Sequence, residues 1–222
     1  MIWEELTLPW LKNQQRPVRI GVDFDNTIAC YDGVFYEAAL EKGLVEPGIP
    51  ATKAAVRDSL RRQGKEPDWT ALQGYVYGAR MPDVKPFPGV LEFFESCRQF
   101  GVPVCIISHK TRYPFVGPRY DLHEASDRWL ESNGFYRSSA ISRSEVYFEL
   151  TLQEKLARIG SMQCSHFIDD LPELLLEPNF PRSVERMLFA PQTKPAADFP
   201  FQYVSSWSEV RERLISREPI CQ

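Results

Sequence analysis

At 222 residues, 43% hydrophobic and 25% charged, the chain carries enough apolar material for one buried core and reads as one domain, or one domain with a modest insertion. A net charge of −4, with Lys and Arg not gathered into a block, gives no electrostatic footing for nucleic acid, and no stretch approaches the ~20 apolar residues that cross a bilayer. The five cysteines, Cys30, Cys97, Cys105, Cys164 and Cys221, are odd in number and contain no CxxC, which predicts free thiols in a reducing compartment rather than a disulfide frame or a zinc site.

The N-terminal MIWEELTLPW has no basic start followed by an apolar run, so it does not read as a signal peptide and the expected location is cytoplasmic. Residues 1–16 form a short arm whose Trp3 and Trp10 are expected to cover the domain. Val18, Ile20 and Val22 then mark a buried strand that gives out at Phe24. Asp23 and Asp25 stand at its end. In extended chain their side chains share one face, roughly 6.6 Å apart. Two carboxylates that close favour a cation between them, and Mg²⁺ suits hard oxygen ligands beside a phosphate. Asn26 and Thr27 supply turn chemistry and small donors where the backbone leaves the sheet, and Asp32-Gly33 is a tight-turn signal that could close a flap.

From Val34 to about Arg80 the pattern turns helical. Phe35, Ala38, Ala39 and Leu44 mark one piece. Ala55, Val56 and Leu60 mark a second, stopped by Gly64. Asp68 is placed to cap a third that carries Trp69, Leu72, Tyr75, Val76 and Ala79. Pro82, Pro86, Pro88 and Gly89 then punctuate the return. The expected organisation is a core of residues 1–33 and 84–222 with a helical cap over 34–83.

A helix over 90–100, a strand over 102–107 ending at Ser108, a helix over 121–132 and a short strand over 146–150 follow. Thr151 caps a helix through Ile159 that Gly160 closes. His166, Phe167 and Ile168 lead into Asp169-Asp170, and a strand over 187–189 and a helix over 206–215 complete the chain. Strands alternating with helices predict an α/β, Rossmann-like three-layer core with a parallel sheet.

Polar residues thus sit at or beside successive predicted sheet ends: Asp23 with Asp25, Ser108, Lys155, and Asp169 with Asp170. Each has an ordinary explanation alone, as a turn cap, a surface charge or a helix cap. Together, at the carboxyl ends of parallel strands, they point to a ligand site. His166 reads as core and His123 as a solvated helix residue, while His109 and Lys110, next to Ser108, are within reach of a bound ligand.

In these motifs the sequence resembles the haloacid dehalogenase-like (HAD) phosphohydrolase superfamily. The resemblance rests on DFDNT at 23–27, the strand ending in Ser108, Lys155, and FIDD at 167–170, and it covers about 18–190. It implies that Asp23 attacks phosphorus to form an aspartyl-phosphate. Asp25 then protonates the leaving oxygen and later takes a proton from water, its backbone carbonyl also facing the metal. Ser108 and the His109 amide would grip phosphoryl oxygens, Lys155 would balance charge, and Thr27, His109 and Lys110 would meet substrate. Mg²⁺ would lie among Asp23, Asp25, Asp169 and Asp170, with Asp170 the first choice for direct ligand from the second pair. Asp25 is the acid that the superfamily's hydrolytic dehalogenases lack, so phosphoryl chemistry is favoured over carbon–halogen cleavage. The implied activity is a Mg²⁺-dependent phosphatase acting on a small phosphorylated metabolite of the sugar phosphate or nucleotide class. A phosphomutase or phosphotransferase of the same fold, or an inactive scaffold that binds phosphate and regulates a partner, are the alternatives. A DxD glycosyltransferase is more distant. Substrate choice would fall to Tyr75, Tyr77, Arg80, Lys110 and Arg112. The sequence is silent on oligomeric state.

Overall fold

The first predicted strand forms, but it is short. β1 spans Ile20–Val22, and Val18 lies outside it at 39% exposure. The computed structural model describes residues 17–137, 140–192, 194–196 and 198–215. Trp3, Trp10 and Cys221, and the arm expected to cover the domain, fall outside that range.

After β1 come β2 (Ala29–Cys30) and the helices α1 (Val34–Glu41), α2 (Lys53–Arg62) and α3 (Glu66–Tyr77). β3 (Lys85–Pro86), α4 (Val90–Gln99), β4 (Val104–His109) and α5 (Leu122–Ser132) follow. The rest of the chain gives β5 (Val146–Glu149), α6 (Leu152–Ser161), β6 (His166–Asp169), α7 (Pro172–Leu175), β7 (Glu185–Phe189), β8 (Gln202–Val204) and α8 (Trp207–Leu214). Among the described residues six strands make one sheet in the order β5-β4-β1-β6-β7-β8, and every pairing in it is parallel. The chain therefore has the expected α/β Rossmann-like architecture.

Strand alternation divides the core into two clusters, one on each face of the sheet. Ile20, Val22, Ile106, Ile168, Met187 and Phe189 share one cluster with α4, α5 and α8. Cys105, Ile107, Phe167 and Leu188 share the other with α6 and α7. By the same alternation Asp23, two residues after Gly21, and Asp169, two after Phe167, turn to the α6 face. That parity aims both acids at the helix that carries Lys155. Gly21 on the same face is a close-approach glycine: a Cβ there would stand 2.6 Å from the Phe167 ring.

The helical insertion leaves through β2 and returns through β3. These two stretches pair antiparallel, Ala29 with Pro86 and Cys30 with Lys85. The ribbon is thus closed by strands on either side of the insertion and not at Asp32-Gly33, where Gly33 (φ 84) instead begins α1. Phe35, Val56, Trp69 and Val76 of the insertion belong to the same apolar cluster as one face of the sheet. The Trp129 indole N–H bonds the Val84 carbonyl at 2.8 Å, tying α5 to the returning segment.

α3 lies close against the loop that follows β4. A Cβ on Gly74 would stand 2.6 Å from Pro114 Cβ, and one on Gly78 2.4 Å from the Tyr120 ring. Gly78→Ala is expected to cost about 1–3 kcal/mol by overpacking, read as a lowered thermal midpoint. An unchanged midpoint would mean that Tyr120 swings clear.

Several local expectations need correction. Asp68 lies in the first turn of α3, whose N-cap is Lys65 with Pro67 just inside, the residue best suited to a first turn. Leu44 falls beyond α1. α6 continues through Gly160 to Ser161, and the left-handed turn after it is made by Gln163 (φ 54). β8 was not anticipated at all. The Thr151 cap does form, as a reciprocal capping box with Glu154.

Candidate active site

The carboxyl ends of β1, β4 and β6 open into a cavity of about 470 Å³. Asp23, Asp25, Ser108, His109, Lys110, Lys155 and Asp170 all line it, so most of the expected residues converge. The ammonium of Lys155, on α6, bonds Asp23 Oδ1 at 2.6 Å and Asp169 Oδ2 at 2.7 Å. It is 2% exposed, and these two carboxylates are its counter-charges. They hold its pKa above the ordinary lysine value although burial alone would lower it.

Asp23, Asp169 and Asp170 each offer an oxygen within 4.8 Å of the others. Burial, with the Asp169 and Asp25 charges, pushes Asp23 up to about 6 in spite of Lys155. Asp170 is raised well above the usual carboxylate range by burial and by Asp169 and Asp23. Such crowding is what a divalent cation relieves, and an all-oxygen set suits a hard ion. The donor set therefore fits a metal. Asp169 is also bound to the Leu171 amide at 2.9 Å, whereas Asp170 faces the cavity.

Asp25 is placed differently from the expectation that it would share an ion through its side chain. Both acids line the cavity, and the chain turns just after them at Asn26 (φ 57). The Asp25 carboxylate lies outside the converging group of three. It receives Lys110 Nζ at 2.8 and 3.0 Å and the Tyr31 hydroxyl at 2.5 Å. Burial works against its charge, but Lys110 and Tyr31 hold its carboxyl below the usual range.

Thr27 does not reach the cavity. It is fully buried, its carbonyl accepts the Trp207 indole N–H at 3.0 Å, and its hydroxyl has no partner among the described residues. Lys110 lines the cavity but is spent on Asp25. Of the residues expected to choose substrate, Tyr77 also lines the cavity. Arg80 is taken up by Asp83, Glu41 and Glu37, Arg112 by Asp121, and Tyr75 lies under Lys42. His166 bonds Ser165 and Glu185 away from the site. His123 is half-buried, not solvated, and its Nε2 meets the Lys110 carbonyl at 2.8 Å.

The residues that sequence reasoning missed are Tyr31, His123 and Lys53. Lys53 opens α2 and lines the cavity from the insertion. Its ammonium stands 5.5 Å from the Tyr77 ring centre and 5.8 Å from those of Tyr31 and Phe35. Burial opposes its charge, yet Tyr77, Asp170 and Asp25 hold its pKa above the ordinary value. Thr52 just before it, a recognisable N-cap bonded to the Ala55 amide, was the available signal that a helix starts there.

No protein-family model matches the sequence, and no curated protein matches it. Solved structures do. A HAD family hydrolase from Deinococcus radiodurans R1, solved with bound phosphate and sodium, superposes with a TM-score of 0.59 at 14% identity, over 89% of this chain and 95% of that one. The chain has the HAD-like fold. The same HAD-like fold appears in a dehalogenase (TM-score 0.57, 12% identity, 90% of this chain and 98% of that one). It appears again in Mycobacterium tuberculosis protein tyrosine kinase A, PtkA (0.60, 16%, 89% and 98%). Proteins named for three different reactions thus share it, so the reaction has to be read from the side chains. Among the described residues no helix is long and apolar enough to cross a membrane.

Proposed function

We propose that this protein is a Mg²⁺-dependent phosphatase that hydrolyses a small phosphorylated metabolite through an aspartyl-phosphate on Asp23. The observation that carries the reading is the placement of the Asp23 carboxylate. It faces the cavity, is gripped by buried Lys155 at 2.6 Å, and lies beside two further acids. One Asp23 oxygen held by Lys155 leaves the other to attack phosphorus. The phosphorus–ester oxygen bond breaks as the bond to Asp23 forms. The departing oxygen takes a proton through Asp25, which receives it from the Lys110 ammonium bonded to its carboxylate, and the proton lost by the water that attacks the aspartyl-phosphate returns through Asp25 to Lys110.

Lys110 and Tyr31 fix the Asp25 side chain, and His123 in turn holds the Lys110 carbonyl. Ser108 and the His109 amide would bind phosphoryl oxygens at the end of β4. A divalent cation, when bound by Asp23, Asp170 and the Asp25 carbonyl, would supply counter-charge for carboxylates and phosphoryl oxygens. The insertion, with Lys53, Thr70, Gln73 and Tyr77 on the cavity wall, would act as a cap over 34–83 that admits a small substrate. A carbon–halogen substrate has no use for a proton-handling acid at Asp25, which supports phosphoryl chemistry over dehalogenation.

Phosphate release from sugar phosphates and nucleotides is expected with Mg²⁺ and is expected to stop on chelation. Release that continues in chelator would sink the metal requirement. Turnover only after addition of a sugar-phosphate acceptor would instead assign a phosphotransferase.

A further inference from the structure

The cavity wall divides into a charged floor and an apolar mouth. On the floor two lysines are set against carboxylates. Lys110 meets Asp25, and Lys155 meets Asp23 and Asp169, whereas Lys53 stands 5.5 Å from the Tyr77 ring centre. At the mouth stand Phe115, 83% exposed, and Leu171, 50% exposed. Phe115 lies on the loop after β4 and Leu171 on the loop after β6, and these strands flank β1 on opposite sides. Both side chains share the wall of the cavity that holds Asp23. Glu173 and Glu177 also line the cavity, and neither has an ion-pair partner among the described residues.

A large aromatic left almost wholly in water at a cavity rim gains by covering a ligand's apolar face. Two unpaired carboxylates on the same wall penalise a second negative charge on the leaving group. We propose that the site selects phosphate monoesters whose leaving group is uncharged and carries an apolar face, gripped by Phe115 and Leu171, and that Glu173 and Glu177 turn away leaving groups bearing a second anion. This rests on the phosphatase reading above.

The test compares benzyl phosphate, 4-carboxybenzyl phosphate and glycerol 3-phosphate, all esters of primary alcohols, with Mg²⁺ present. The wild-type protein is expected to show kcat/KM for benzyl phosphate at least about fivefold above that for the carboxylated analogue. Phe115→Ala is expected to lower the benzyl to glycerol preference about fivefold. Glu173→Gln with Glu177→Gln is expected to narrow the gap against 4-carboxybenzyl phosphate about threefold. Phe115 and Glu173 are exposed and Glu177 is half-buried without an ion-pair partner among the described residues, so an unchanged thermal midpoint is expected for both variants. Equal hydrolysis of the charged and uncharged benzyl esters, or a preference that Phe115→Ala leaves unmoved, overturns the selection while the phosphatase reading stands. No phosphate from any of the three overturns both.

Discussion

Asp23→Asn is expected to lower phosphate release by at least about 10⁴-fold, since a residue acting within a nucleophilic unit contributes on that scale. The amide keeps the shape of the carboxylate and can still accept the Lys155 hydrogen bond, but it cannot attack phosphorus. The variant should remain folded. It removes one of three crowded carboxylates and leaves Lys155 paired with Asp169 at 2.7 Å, so its thermal midpoint in chelator should not fall much below wild type. Acid-stable trapping of phosphate on the protein during turnover should occur in wild type and be absent in the variant. Wild-type turnover in Asp23→Asn would end the nucleophile assignment, whatever the geometry.

Lys155→Met carries the second large effect, and it falls on stability as well as rate. The two chains are similar in length, so the packing changes little. What is lost is the buried cation between Asp23 and Asp169. Removing one partner of a buried ion pair typically costs about 3–5 kcal/mol, because the remaining charges are stranded away from water. The deficit should be largest in chelator. Excess Mg²⁺ should restore part of it, since an ion that binds only the folded state stabilises by mass action and supplies the missing positive charge. Denaturant melts with and without Mg²⁺ read both effects. A variant as stable as wild type in chelator would show that the acids carry protons there and need no lysine.

Much of this site was legible because a parallel sheet gathers distant stretches of sequence at one edge. An apolar run announces each strand, and the polar residue that ends it announces the site. Asp23, Ser108 and Asp169 were visible in that way, and Lys155 was visible from the Thr151 cap that starts its helix. Partnerships between side chains were not legible. Lys110 was read as free to meet substrate because its pairing with Asp25 depends on how β4 lies beside β1. Thr27 looked like a binding residue by its position in the motif, yet the turn at Asn26 directs it into the core. His123 was assigned to solvent because nothing local reveals that its helix faces the Lys110 carbonyl. β8 escaped notice because Gln202, Tyr203 and Val204 are too few to show a period and only Val204 is buried. The N-cap of α3 was misplaced because Asp68 is a good capping type, while Pro67 before it already occupies the first turn.

The two short strands that join the insertion to the sheet have a consequence for how such a protein can diversify. Cys30 and Lys85 are register partners, so the polypeptide departs and re-enters at adjoining points. The backbone junction therefore sets no length for what lies between them, and the insertion is held in place by its side chains, which share the apolar cluster of the sheet and pack on the loop after β4. The junction is thereby indifferent to the length of the segment it carries, while the side chains packed between that segment and the sheet are not.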